Sequence, residues 1–146
     1  MFSALRLNTI LGIMLFGIFF MGTAQAAEGI KWYSYDEAMA LTKSEKKKVY
    51  INFYTDWCGY CRKMEKKTFT DGNVIAYLNK NYLPVRVNAE KERSVAAKYK
   101  AFSFPDNTFI TETGEYIGKQ PGFLGPSDFL KMLTFVYEEK YKNKSK

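Results

Sequence analysis

The sequence predicts an α/β fold in which a central mixed β-sheet is flanked by helices. Two observations carry this reading. Segments rich in β-branched and aromatic residues alternate with segments of helical composition through the middle of the chain, an order that implies parallel strands joined by a right-handed crossover. Two further strand-like segments then face each other across a short turn, which adds an antiparallel hairpin. With 146 residues, 47% of them apolar and 25% charged, the chain fits one domain with its own core, and neither disorder nor fibrous repeats suit it.

The elements follow in order. Ser34 with Glu37 three residues later is a capping-box pattern, and Ala38, Met39 and Leu41 make a short amphipathic helix ending near Lys43. Lys46 to Lys48 reads as a polar loop. Val49 to Thr55 has few turn formers and fits a central strand buried on both faces. Helical composition runs from Cys58 to about Lys67, breaks at Asp71-Gly72-Asn73, and resumes from Val74 to Asn79. Leu83 to Asn88 is the next strand, and Glu90 to Lys100 the next helix. After Phe104-Pro105, the strand Thr108 to Thr111 and another around Tyr116 and Ile117 flank a turn at Glu112 to Gly114. The last helix extends from Ser127 to about Tyr141, with Phe129, Leu130, Leu133, Val136 and Tyr137 as one apolar stripe destined for the core.

A net charge of +7 would suit nucleic acid or anionic lipid, but the excess is spread thinly and clusters only at Lys46 to Lys48 and in the Lys-rich tail. No basic run interleaved with aromatics and no nucleic-acid module accompanies it, so it reads as solvated surface able to steer acidic partners. The 12 Phe and 11 Tyr read as core filling.

Residues 1–26 differ from the rest. Arg6 is their only charge, an apolar run from Ile10 to Met21 follows, and Ala24 and Ala26 stand where a signal peptidase cleaves, before Ala27. The run is short for a membrane span, which needs about 20 residues. The expectation is a cleaved signal peptide at 1–26, a single domain at 27–146, and residence in an oxidising compartment, the periplasm in a Gram-negative cell. No cysteine follows the apolar run, which excludes a lipoprotein anchor.

Trp57-Cys58-Gly59-Tyr60-Cys61 joins the end of a buried strand to the start of a helix and holds the chain's two cysteines. Free N–H groups and the positive helix end stabilise a thiolate there, lowering a pKa of about 8.5 to between about 3.5 and 7.5. Cys58 is thus the expected nucleophile. Cys61, within one turn, is placed to resolve a mixed disulfide between Cys58 and a partner. Gly59 and Tyr60 face the site. A zinc site lacks ligands, since there is no histidine and no third cysteine, and haem attachment fails because Arg62 follows the pair. No cofactor is expected. A static disulfide gains little from so short a loop, while a copper-handling pair of thiolates stays open.

With this motif and Pro105 ahead of a hairpin and final helix, the chain from about Val49 to Leu133 resembles the thioredoxin superfamily. Asp56-Trp57-Cys58 and Met64-Glu65-Lys66-Lys67-Thr68-Phe69 are most similar to secreted thioredoxin-like domains such as that at the C-terminus of the transmembrane reductase DsbD. Cys-Gly-Tyr-Cys is also similar to the active site of disulfide isomerases of the DsbC type. The resemblance implies a thioredoxin fold, exchange with protein thiols and disulfides as a monomer, and an electron donor of the membrane-embedded DsbD type. It implies that Pro105, after Phe104, is a cis-proline opposite the cysteines, and that Trp57, Gly59, Tyr60, Phe104 and Asp106 border the partner groove. Two positions depart from the pattern. Asn52 stands where the family has a buried Asp, and Asp106 follows the proline where Thr is common, bringing a carboxylate to the groove. Glu65, one turn after Cys61 and matching a glutamate of the DsbD-type domain, is then the expected proton acceptor, with a raised pKa if it lies desolvated beside the thiols. Reduction of partner proteins is the expected direction, with isomerase, oxidant or metal-carrying adaptor as the alternatives.

Overall fold

The computed structural model describes residues 29–145. Along the chain lie α1 (Tyr35–Glu45), β1 (Lys48–Tyr54), α2 (Gly59–Lys67), α3 (Gly72–Asn81), β2 (Tyr82–Asn88), α4 (Arg93–Lys98), β3 (Asp106–Ile110), β4 (Tyr116–Pro121), α5 (Pro126–Tyr137) and a closing 3-10 helix, Lys140–Ser145. The four strands form one sheet in the order β2-β1-β3-β4. β1 is parallel to β2 and antiparallel to β3, and β3 is antiparallel to β4, so the sheet is mixed as expected.

The alternation of side chains along β1 divides the core into two layers. Val49, Ile51 and Phe53 pack with Ala38 of α1 and Ala96 of α4. Tyr50 packs on the other face with Met64 of α2, Val74 and Leu78 of α3, and Phe129, Leu133 and Val136 of α5. Tyr50, Tyr82, Phe53, Phe109 and Phe129 are fully buried, and burying a side chain of this size stabilises by about 1.5–3 kcal/mol. The buried Tyr82 OH donates to the Leu133 carbonyl at 2.6 Å.

Caps set the helix ends. Ser34 and Glu37 form the expected reciprocal capping box, and Lys46, at φ 51°, ends α1 in the left-handed region. Asp71 accepts from the N–H groups of Asn73 and Val74 and starts α3. Asn88 accepts from the N–H groups of Glu90 and Lys91, so those residues form a side-chain-capped turn and α4 begins only at Arg93. The hairpin turn uses Gly114 at φ +89°, a conformation open to glycine.

Three expectations are corrected here. Lys48 is not part of a solvated loop: it is the first residue of β1, 3% exposed, and is met by two carboxylates from distant parts of the chain. Tyr137, the last residue of α5, is 48% exposed rather than buried in the core, its ring meeting those of Tyr77 and Tyr82. The last α-helix stops at Tyr137 rather than Tyr141, because Glu139 turns left-handed at φ 55°.

Candidate active site

β1 ends at Tyr54, and the turn Thr55-Asp56-Trp57 delivers the chain into α2 with Cys58 as its N-cap. The Cys58 N–H donates to the Thr55 carbonyl at 3.3 Å. Its Sγ accepts the Cys61 N–H at 3.1 Å. Cys58 and Cys61 are joined as a disulfide with their Cα atoms 5.2 Å apart. Both residues are nearly buried, at 5% and 3% exposed, so accessibility in the oxidised state hardly separates them. Position does: the N-cap sulfur sits at the positive end of α2, whose first turn contains no acidic residue, and it receives a backbone N–H that favours a thiolate.

Opposite lies the loop before β3. The Phe104–Pro105 peptide bond is cis, and Pro105 is buried. Trp57 and Phe104 meet edge to face with ring centroids 6.2 Å apart, which places this loop against the cysteine turn. The Trp57 Nε1–H donates to Glu90 Oε1 at 3.0 Å. Around the disulfide the rings stand in solvent: Trp57 is 66%, Tyr60 64% and Phe102 78% exposed. A Cβ added at Gly59 would meet nothing within 4 Å, so open space lies in front of the motif.

On the α2 face of the sheet, Asn52 is 2% exposed and belongs to a neutral network. Asn107 Oδ1 accepts from Tyr50 OH at 2.7 Å and from Asn52 Nδ2 at 3.4 Å. Asn107 Nδ2 in turn donates to the carbonyls of Gln120 and Gly122. Burial pushes the Tyr50 hydroxyl well above its ordinary pKa. None of these groups is an acid able to take a thiol proton near neutrality.

Two expectations about charge are overturned. Glu65 is paired with Arg86 through two hydrogen bonds of 3.0 Å, from Nη1 to Oε1 and from Nη2 to Oε2, and is about half exposed. The Arg86 guanidinium, itself 4.3 Å above the Tyr54 ring, holds the Glu65 carboxyl below the usual carboxylate range, opposite to the expected rise. Asp106 does not bring a carboxylate to the groove. It points to the α4 face, fully buried, accepts from Thr108 Oγ1 at 2.8 Å, and lies 3.0 Å from Lys119 Nζ. Lys119 also donates to the carbonyls of Tyr99 and Lys100, tying the end of α4 to β3 and β4.

Sequence reasoning missed Glu90, which fixes Trp57, and Phe102, which reads as a core residue among its apolar neighbours. It also missed Arg86. The register partner of Asn52 on β2 is Arg86, so its side chain shares the α2 face, but that follows only from the pairing. Among the described residues no group of three or more His, Cys, Asp or Glu side chains could hold a metal.

A family model for a thioredoxin-like domain matches residues 35–137. The disulfide bond reductase DsbH of Chlamydia pneumoniae is 27% identical over 113 residues, covering 66% of this chain and 68% of that protein. The thiol:disulfide interchange protein DsbD of Actinobacillus pleuropneumoniae serotype 5b (strain L20) is 31% identical over 99 residues, which cover 64% of this chain but 17% of DsbD. Among solved structures, a DsbH oxidoreductase superposes with a TM-score of 0.70 at 22% identity, covering 77% of this chain and 88% of the other. A thioredoxin from Thermus thermophilus gives 0.67 at 26% identity, covering 75% and 88%. The domain match, the mixed sheet and the disulfide at the N-cap of α2 agree: the chain belongs to the thioredoxin-like family and is a thiol-disulfide oxidoreductase.

Proposed function

We propose that this protein works outside the cytoplasm, in the periplasm of a Gram-negative cell, as a reductant of protein disulfides. The observation that carries the redox reading is Cys58 at the N-cap of α2, its sulfur receiving the Cys61 N–H and already paired with Cys61. In the reduced protein the Cys58 thiolate attacks one sulfur of a partner disulfide, and the partner's other sulfur leaves as a thiolate. Cys61, deprotonated by water, then attacks the Cys58 sulfur and releases the second partner thiolate. Two electrons pass to the partner, whose thiolates take up two protons, and Cys58–Cys61 is left oxidised. An upstream dithiol of the membrane-embedded DsbD kind is the donor that restores it.

The surroundings fit such docking. Among the described residues nothing hydrogen-bonds to the Phe104 backbone, which leaves it free to pair with an extended partner segment beside Pro105. Trp57, Gly59 and Tyr60 present an open, largely apolar front. Asp106 serves by fixing the loop rather than by touching the partner. The targeting segment 1–26 lies outside the described residues; among those described, no helix is long and apolar enough to cross a membrane.

The deciding measurement is the equilibrium of Cys58/Cys61 against glutathione. A potential near about −270 mV supports a reductant, and one near about −120 mV an oxidant. N-terminal mass spectrometry of protein from the native host tests cleavage before Ala27; a protein starting at Met1 that stays with alkaline-washed membranes overturns it.

A further inference from the structure

Outside the active site, on the α4 face of the sheet, a notch of about 540 Å³ is lined by Lys98, Tyr99, Lys100, Gly114, Tyr116 and Lys119. A shift of register in the β3–β4 hairpin builds one wall. Ile110 pairs with Tyr116 but Phe109 with Gly118, so Tyr116 and Lys119 come to the face that carries Ile110, while Ile117 packs into the opposite layer. The Tyr116 ring, 54% exposed, stacks on the buried Tyr99 with centroids 6.4 Å apart. The end of α4 forms the other wall. There the Lys100 N–H donates to the Ala97 carbonyl and the Ala101 N–H to the Ala96 carbonyl, and Lys100 takes the left-handed position after the helix at φ 52°.

The three ammonium groups have different duties. Lys119 is spent on the fold: its three donors meet Asp106 at 3.0 Å and the carbonyls of Lys100 and Tyr99 at 2.6 and 3.4 Å. Lys98 donates to Tyr35 OH at 2.8 Å and lies 5.5 Å over the Tyr99 ring, which leaves it donors to spare. Lys98 and Lys100 are exposed, and neither forms an ion pair among the described residues. The helix end does not consume them, since the carbonyls of Ala96, Ala97, Tyr99 and Lys100 already accept from other groups. The acids of this region are placed elsewhere. Asp36 and Glu92 line a separate hollow that Lys98 borders, Glu115 precedes Tyr116 without lining the notch, and Asp106 is matched by Lys119.

We propose that this notch docks an acidic segment of the redox partner, its carboxylates meeting Lys98 and Lys100 while its apolar atoms lie on the Tyr116 ring. The inference rests on the oxidoreductase reading above and names the partner's chemistry. The notch is tied to the reaction in two ways. Only Ala101, Phe102, Ser103 and Phe104 separate Lys100 from Pro105, a stretch that reaches at most about 18 Å, so one partner segment of similar length can touch both. Lys119 also joins the notch to Asp106, the residue that follows the cis-proline. Complementary charges at such a place favour the productive encounter, and salt weakens them over a screening length of about 8–10 Å.

The test uses the reduced full-length protein and disulfide-linked homodimers of a short peptide that carries Glu, Gln or Lys side chains about five residues from its cysteine, enough to span the loop. Hydroxyethyl disulfide is the uncharged probe. At low salt the Glu peptide should be reduced about tenfold faster in kcat/KM than the Gln peptide, and the advantage should shrink as salt is added. Lys98→Glu with Lys100→Glu should reverse the order in favour of the Lys peptide, with hydroxyethyl disulfide reduced as by the wild type. Lys100→Glu alone, which leaves the Lys98–Tyr35 bond in place, should already remove part of the advantage. Lys67→Glu with Lys80→Glu, on exposed positions of α2 and α3 in the other layer, makes the same change in net charge and should keep it. Equal rates for the Glu and Gln peptides, with hydroxyethyl disulfide reduced, overturn the docking site and leave the oxidoreductase reading standing. An equal loss in the two double variants overturns it as well, because net charge would then be the cause. Binding to phosphatidylglycerol vesicles that Lys98→Glu with Lys100→Glu abolishes, without any peptide preference, gives the notch to a membrane surface and overturns it too. Failure to reduce any probe removes the redox reading and the docking site with it.

Discussion

The two ends of β1 are built in opposite ways. Where the strand enters the sheet, Lys48 is 3% exposed and its Nζ donates to Glu112 at 2.6 Å and Glu139 at 3.1 Å, locking the β3–β4 turn and the chain after α5 onto the strand. Where it leaves, three exposed rings surround a nearly buried disulfide. A charge is buried at the end that holds the chain together, and apolar rings are exposed at the end that meets a partner. Hydropathy alone assigns both ends the wrong way round, because each reflects partners that lie elsewhere: distant carboxylates in one case, another protein in the other.

If the ends are separable, a change at one should leave the other's property intact. The largest expected effect is Cys58→Ser, which removes the sulfur at the helix N-cap and should abolish disulfide reduction, while the far-ultraviolet circular dichroism stays that of the wild type. Cys61→Ser should instead retain partners as mixed disulfides, since the resolving attack is lost. Trapping by Cys58→Ser rather than by Cys61→Ser would reverse the two roles.

Next in size is Asp106→Ala, which breaks a buried ion pair at the end of the sheet nearest the site. Removing one member of such a pair costs about 3 kcal/mol, somewhat less where the survivor reaches water as the partly exposed Lys119 can. Because Lys119 also holds the carbonyls that end α4, faster proteolysis of the segment 99–105 should accompany the loss of stability in urea. An unchanged midpoint would show that the pair contributes nothing net.

Lys48→Met tests the closed end and should cost about 2 kcal/mol, because Glu112 and Glu139 are each more than a third exposed and can be rehydrated. The disulfide potential should not move. Burial alone would push the Lys48 ammonium down, but Glu112 and Glu139 more than offset it and the pKa is raised. A raised folded-state value means the stabilisation is complete below the unfolded pKa of about 10.4 and is lost as pH rises through the folded value. The difference in melting temperature between wild type and Lys48→Met should therefore narrow at strongly alkaline pH. A gap that stays constant there would remove the charge pairing as its cause.

The comparison also shows what could be read from the sequence. The strands, the Ser34 capping box, the cysteine turn and the cis-proline position depend on neighbours a few residues apart or on a shared family motif, and all were legible. Lys48, Asp106, Glu65 and Tyr137 were misread for one physical reason. Whether such a side chain is buried or exposed, and whether its charge is paired, depends on residues brought beside it by the topology: Glu112 and Glu139 for Lys48, Lys119 for Asp106, Arg86 for Glu65. Asn52 falls between these cases. Its lack of an acid was plain from the residue type, but the Tyr50–Asn107 network that replaces the acid appears only once β3 is paired with β1.

The smallest expected effect belongs to Glu65→Gln, and it bears on how Cys61 loses its proton. Helical spacing places Glu65 one turn beyond Cys61, yet both carboxylate oxygens are engaged by Arg86. A carboxyl held ionised by a guanidinium is a weaker base than a free one, so its removal should leave the rate of mixed-disulfide resolution at neutral pH unchanged. The stability cost should be about 0.5–1 kcal/mol, as for an exposed pair with good geometry. Its sign with pH follows from the lowered pKa: the contribution is present above the unfolded value of about 4.3 and lost as pH falls through the folded value, so the variant and wild type should converge in acid. Slower resolution in Glu65→Gln, with the fold intact, would mean that Arg86 releases the carboxylate during turnover and would return Glu65 to the proton path. An unchanged rate leaves water as the acceptor, which accords with a site whose buried neighbours on the α2 face are amides and a tyrosine rather than an acid.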